Sequence, residues 1–178
     1  MKNSILLLFI STILFSCTKE TIQPSGLLAT VSSNANLESA ASLSVVTFKS
    51  SVPGTIYISQ GLNTLQTDSF TVSGQTAYMS KLVFVVAGSV TLSNFKFYIN
   101  GGQIKSTITY SNDTITVALK KQYVLLPGNY NYILQAKTLG APGTSFSTTL
   151  NSAIIVDKTR FAAEILNLPG VGNSLILR

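Results

Sequence analysis

Apolar and polar positions alternate over short stretches along most of this chain. Residues 43–48, 55–58, 69–72, 81–86, 94–99, 104–110, 114–119, 123–126 and 130–136 are rich in Val, Ile, Leu, Thr, Phe and Tyr. Side chains branched or flat near the backbone suit a pleated, half-buried surface, so each run predicts a strand. Pro53-Gly54, Ser73-Gly74, Asn100-Gly101-Gly102, Ser111-Asn112-Asp113 and Pro127-Gly128 punctuate the runs. Residues 81–86 are apolar almost throughout, as a strand covered on both faces would be. Residues 130–136 alternate, which places Tyr130 and Tyr132 on one face. Asn100-Gly101 predicts a tight hairpin with residues 104–110 as its return strand. Residues 144–156 predict one long or two short strands, and 160–168 fit either a helical turn or a strand. Residues 168–172 break the pattern and 174–177 offer a final edge. No segment sustains a helical period, so the expected class is all-β, an antiparallel β-sandwich over residues 43–178. A separate C-terminal extension from about residue 158 is the alternative end to that domain.

The N-terminus follows a different pattern. Lys2 precedes an apolar stretch, residues 5–15, too short for the roughly 20 residues that a membrane-spanning helix needs. It has the shape of a secretion signal. The stretch ends in Leu14-Phe15-Ser16-Cys17, which resembles the lipobox of bacterial lipoproteins. That resemblance implies cleavage between Ser16 and Cys17, acylation of Cys17, and a stable membrane anchor of two or three chains. Residues 1–16 are then the signal peptide. Residues 17–42, rich in Ser, Ala, Asn and Thr, are the lipidated N-terminus and a flexible tether. Lys19-Glu20 faintly resembles the charged export signal of Bacteroidetes surface lipoproteins. The expected location is the cell envelope, at the outer membrane.

Composition narrows the chemistry. Cys17 is the one cysteine, so no disulfide staples the fold. There is no histidine, which removes Ser-His-Asp and Cys-His catalysis and most zinc sites. Six acids in 178 residues leave Asp157 and Glu164 as the only close pair beyond the tether, and Lys158 and Arg160 beside them favour local ion pairing over catalysis. Asn112-Asp113-Thr114 has too few oxygen ligands for calcium. No enzyme, cofactor or metal is expected. The net charge of +6 is spread along the chain, with only Lys120-Lys121 adjacent, which argues against nucleic acid and mildly favours anionic lipid or polysaccharide.

Two surface features remain. Tyr110, Tyr123, Tyr130 and Tyr132 offer an aromatic platform for sugars, weighed against ordinary cross-strand packing. Asp113-Thr114-Ile115 resembles the O-glycosylation acceptor of exported Bacteroidetes proteins, with Thr114 as the acceptor. The succession of strands and turns from about residue 67 to 157 resembles the immunoglobulin-like β-sandwich modules of bacterial surface-layer and cell-surface proteins. That resemblance implies a surface setting and carries no catalytic residue. The expected function is binding or structural assembly. One form is a glycan-binding accessory lipoprotein using Tyr123, Tyr130 and Tyr132. Another is a fimbrial or surface-layer subunit that joins another surface protein through an exposed strand edge.

Overall fold

The structure, a computed structural model, describes residues 43–49 and 52–178. The signal segment, Ser16, Cys17 and the tether lie outside the described residues. Twelve strands follow one another: β1 (Val45–Lys49), β2 (Thr55–Ile58), β3 (Gly61–Ser73), β4 (Ala77–Gly88), β5 (Thr91–Ile99), β6 (Gly102–Gln103), β7 (Ser106–Ser111), β8 (Thr114–Leu125), β9 (Gly128–Leu139), β10 (Ser145–Asp157), β11 (Glu164–Leu166) and β12 (Gly170–Leu177). They form two six-stranded sheets, ordered β11-β1-β3-β9-β5-β6 and β2-β12-β10-β4-β8-β7. The domain is an all-β sandwich. It is not wholly antiparallel, because β11 pairs with β1 and β2 pairs with β12 in parallel at the margins.

Alternation places the core. On β9, Tyr132, Leu134 and Ala136 point inward and are buried, while Asn131 and Lys137 are exposed. On β4, Leu82, Phe84 and Val86 are buried, but Val85 is 39% exposed, so this interior strand is covered on one face only. Tyr132 sits among rings from both sheets, with centroids 6.4 Å from Phe48, 6.0 Å from Phe84 and 6.2 Å from Phe97. Rings of this size contribute much of the apolar area that stabilises a sandwich without disulfides.

Three differences from the sequence reading have local causes. Asn100 and Gly101 do form a tight turn, with φ of 47° and 77°, but the return strand is only β6. After Ile104 and Lys105 the chain crosses to the other sheet and pairs with β8 as β7. A six-residue alternating run therefore serves a second sheet, which local pattern cannot reveal. Within residues 94–99 strict alternation fails near Phe95, because Asn94 takes φ 50° and the register shifts between Ser93 and Lys96. Residues 164–177 supply β11 and β12, so the C-terminal region is built into both sheets. Residues 174–177 are no edge, since β12 lies between β10 and β2.

Candidate functional site

The tyrosine platform is not assembled. Tyr132 is 1% exposed in the core. Tyr130, half-buried on the same face of β9, stacks on Phe70 at 5.2 Å and donates its hydroxyl to the Leu126 carbonyl. Tyr123 belongs to β8, in the opposite sheet. Tyr110 packs on Phe95 at 6.2 Å and donates to Asp113 across 3.4 Å. The inward parity that groups Tyr130 and Tyr132 is the same parity that takes them away from solvent. Packing, not an exposed platform, is what Tyr110, Tyr130 and Tyr132 do. Thr114 opens β8, half-buried, and its hydroxyl donates to the Asn112 carbonyl at 3.2 Å.

The densest polar cluster is internal. Gln66, 2% exposed, directs its Nε2 at Asp68 Oδ2 (2.9 Å), the Tyr132 hydroxyl (3.0 Å) and the Gly170 carbonyl (3.0 Å). The Tyr132 hydroxyl donates to Asp68 Oδ2 at 3.3 Å. Thr148 donates to the Leu65 carbonyl at 3.0 Å. These bonds tie β3 and β9 to β12 and β10, pinning one sheet to the other. Burial, then the negative charge of Asp68 and the bond to it, push the Tyr132 phenol far above its ordinary value. The phenol therefore stays protonated and serves as a structural donor. Among the described residues no three His, Cys, Asp or Glu side chains stand close enough to hold a metal ion.

Asp157 closes the loop after β10. Its Oδ1 accepts from the Thr159 amide (2.7 Å), the Thr159 hydroxyl (2.6 Å) and the Phe161 amide (3.1 Å). The Thr159 hydroxyl leads in holding this carboxyl below the ordinary carboxylate range, against burial, with the two amides and the Lys158 charge adding to it. Such an arrangement is an Asx-type loop lock. Asp157 and Glu164 do not act together: Glu164 is in β11, in the sheet opposite β10.

Among the described residues, the longest strand at a sheet margin is β7. Four strands end the sheets: β11, β6, β2 and β7. The first two are three and two residues long. The four-residue β2 is flanked by Pro53, and Arg178 lies 4.1 Å over the ring of its Tyr57. The six residues of β7, Ser-Thr-Ile-Thr-Tyr-Ser, hold no charge and no proline. Thr107 and Thr109 face solvent, while Ile108 and Tyr110 pack toward the core. Natural edges are usually blunted by charge, proline or shortness; β7 itself carries no charge or proline, and Lys105 flanks its start. The turn that sets its register is legible in sequence: Asn112 and Asp113 take φ of 49° and 55°, the paired positive values that suit a two-residue hairpin.

Beside this edge β8 bulges. Lys81 pairs with Ala118 and Met79 with Tyr123, so Leu119, Lys120, Lys121 and Gln122 stand opposite Ser80 alone. Extra residues in one strand turn it outward and re-aim its side chains. The Lys120 amide donates to the Lys105 carbonyl at 3.1 Å, locking the bulge to the crossing between the sheets. A groove of about 420 Å³ lies there, lined by Gln103, Ile104, Lys105, Lys120, Lys121 and Tyr123, with Gln122 at its end.

No protein-family model and no curated protein matches the chain. Among solved structures it is similar to a cohesin module from a family 33 glycoside hydrolase of Clostridium perfringens, at 8% identity and a TM-score of 0.39, over 76% of this chain and 98% of that one. It is also similar to a type III cohesin module from a cell-surface anchoring scaffoldin of Ruminococcus flavefaciens, at 11% identity and 0.34, over 82% and 93%. A non-cellulosomal cohesin from Archaeoglobus fulgidus gives 7% and 0.35, over 77% and 91%. Likenesses at this level carry no functional argument.

Proposed function

We propose that this protein is a non-enzymatic, lipid-anchored component of the cell envelope that acts by assembly, with β7 as the edge that receives a strand from another surface protein. The observation that carries the reading is the uncharged six-residue edge of β7, which no described strand covers. Strand addition joins main-chain donors and acceptors, and alternate side chains then set specificity. Thr107 and Thr109 are the exposed positions an incoming strand meets. The absence of histidine and the commitment of Asp68, Asp157 and Tyr132 to internal bonds support a binding role over catalysis.

The assembly reading is tested by replacing Thr107 and Thr109 with Lys in the full chain. Both positions are exposed, so the fold should persist while the edge becomes repulsive. Native envelope preparations should show a complex larger than the monomer that the double variant lacks. An unchanged complex in a folded double variant refutes the role of β7. The anchor is tested separately. Replacing Cys17 with Ser should abolish acyl labelling and shift the protein out of the detergent phase, and an unaltered lipid label refutes it. In the same reading Thr114, beside the tip of the β7–β8 hairpin, is the acceptor of an O-linked glycan. An intact mass equal to the unmodified chain refutes that assignment.

A further inference from the structure

Along the sequence the cations are scattered, yet the fold gathers six of them. The groove at the β8 bulge holds Lys105, Lys120 and Lys121. A second groove shares Lys105 and Lys120 with it and adds Lys96 on β5. A third shares Gln122 with the first and adds Lys158 and Arg160 from the loop after β10. The first two depressions adjoin through Gln103, Ile104, Lys105 and Lys120, and the third meets the first at Gln122, so together they outline a track. It runs from the β5 margin, past the sheet crossing and the bulge, to the loop after β10.

Only one carboxylate lines this track, Asp157, and its Oδ1 is engaged by the Thr159 amide and hydroxyl and the Phe161 amide. Among the described residues none of the six cations forms a side-chain hydrogen bond or ion pair with a protein carboxylate. Asp157, whose carboxyl feels the Lys158 charge, is the one counter-charge there, so six cations to one carboxylate leave a net positive surface that an anion would cover. The bulge makes the gathering possible: a regular β8 would leave no room opposite Ser80 for both Lys120 and Lys121.

We infer that this track binds a linear, carboxylate-bearing polysaccharide. Its elongated, concave form suits a chain better than a flat bilayer. The amides of Gln103 and Gln122 suit sugar hydroxyls as both donors and acceptors. The half-buried ring of Tyr123 and the side chain of Ile104 supply an apolar floor for a pyranose face, with lysines on the rim for the acid groups. Of the tyrosines considered for sugar binding, Tyr123 alone belongs to this track. The site is independent of the lipid anchor and of strand addition at β7.

The test immobilises the full-length chain and measures retention of polygalacturonate, neutral dextran, and vesicles of phosphatidylglycerol or phosphatidylcholine. Polygalacturonate should be retained, dextran should not, and retention should fall as salt rises through screening of the cations. Replacing both Lys120 and Lys121 with Gln should weaken polygalacturonate binding by about tenfold, in line with the effect of removing cations from a polyanion contact. Lys105→Gln serves as a second variant outside the bulge and should weaken it in the same direction. Lys49→Gln with Arg178→Gln, two cations that line none of these depressions, should leave binding unchanged. Equal retention of polygalacturonate and dextran overturns the inference. So does equal loss from the Lys49 and Arg178 pair. A lysine-dependent preference for phosphatidylglycerol over phosphatidylcholine vesicles without polygalacturonate retention also overturns it, and assigns the track to an anionic membrane.

Discussion

Removing the hydroxyl of Tyr132 would cost Gln66 and Asp68 one hydrogen bond each inside the sandwich. A buried polar group that loses a partner costs about 1–3 kcal/mol. Tyr132→Phe should therefore lower stability by an amount of this order in urea unfolding, with no gross change in fold. A loss near zero would show that the cluster does not pin the sheets. The same residue fixes the alkaline limb. Its folded pKa is raised, chiefly by burial, while the unfolded phenol titrates near about 10. The stability it supplies is full below that value and is lost as pH rises above it. Tyr110, raised by burial and by Asp113, acts in the same sense. Unfolding midpoints should fall above pH ~10, and less steeply in Tyr132→Phe. Asp157 has the opposite sign. Its folded pKa is lowered, so its contribution is present above the unfolded value of about 3.9 and is lost as pH falls through the folded one. Asp157→Asn should flatten the acid limb and expose residues 158–162 to faster amide exchange. Residue-scale chemistry was only partly legible. The lack of histidine was plain, but the meeting of Gln66, Asp68 and Tyr132 depends on strands 66 residues apart in sequence.

At the scale of elements, most strands show in the sequence because a sandwich strand buries one face and alternation records it. Residues 130–136 and the Asn112-Asp113 turn are the clearest cases. What local pattern does not record is which sheet a strand joins. The run at 104–110 follows a strong hairpin turn, yet Ile104 and Lys105 carry it across the core. The bulge at residues 119–122 had one sequence trace, the adjacent Lys120-Lys121 in an otherwise uncharged strand. Close approach between strands also fixes Gly88, at φ 108°. A Cβ there would lie 2.4 Å from the Ser145 carbonyl oxygen. Gly88→Ala combines an unfavourable backbone conformation with a backbone clash, and it should cost on the order of 1–3 kcal/mol or more in thermal unfolding. A melting temperature equal to that of the unaltered protein would contradict the β4–β10 geometry.

On the scale of the whole molecule, the two sheets depend on both ends of the described chain. β12 lies between β10 and β2, and β11 closes the other sheet against β1. A chain ending at Asp157 should lose the cooperative unfolding transition, because β10 and β2 lose their shared neighbour and Leu175 and Leu177 leave the core. The proposed role is that of a binding surface acting through edges and grooves of two six-stranded sheets, with β7 receiving a strand from another protein. The direct measurement places a photo-crosslinking residue at Thr109 in intact cells, and a second at Thr64 on the exposed face of β3 as control. A discrete adduct should form from Thr109 and none from Thr64, and the Thr109 adduct should be lost when Thr107 is also changed to Lys. Equal crosslinking at both positions, or none at Thr109 in a correctly exported protein, would contradict strand addition at β7.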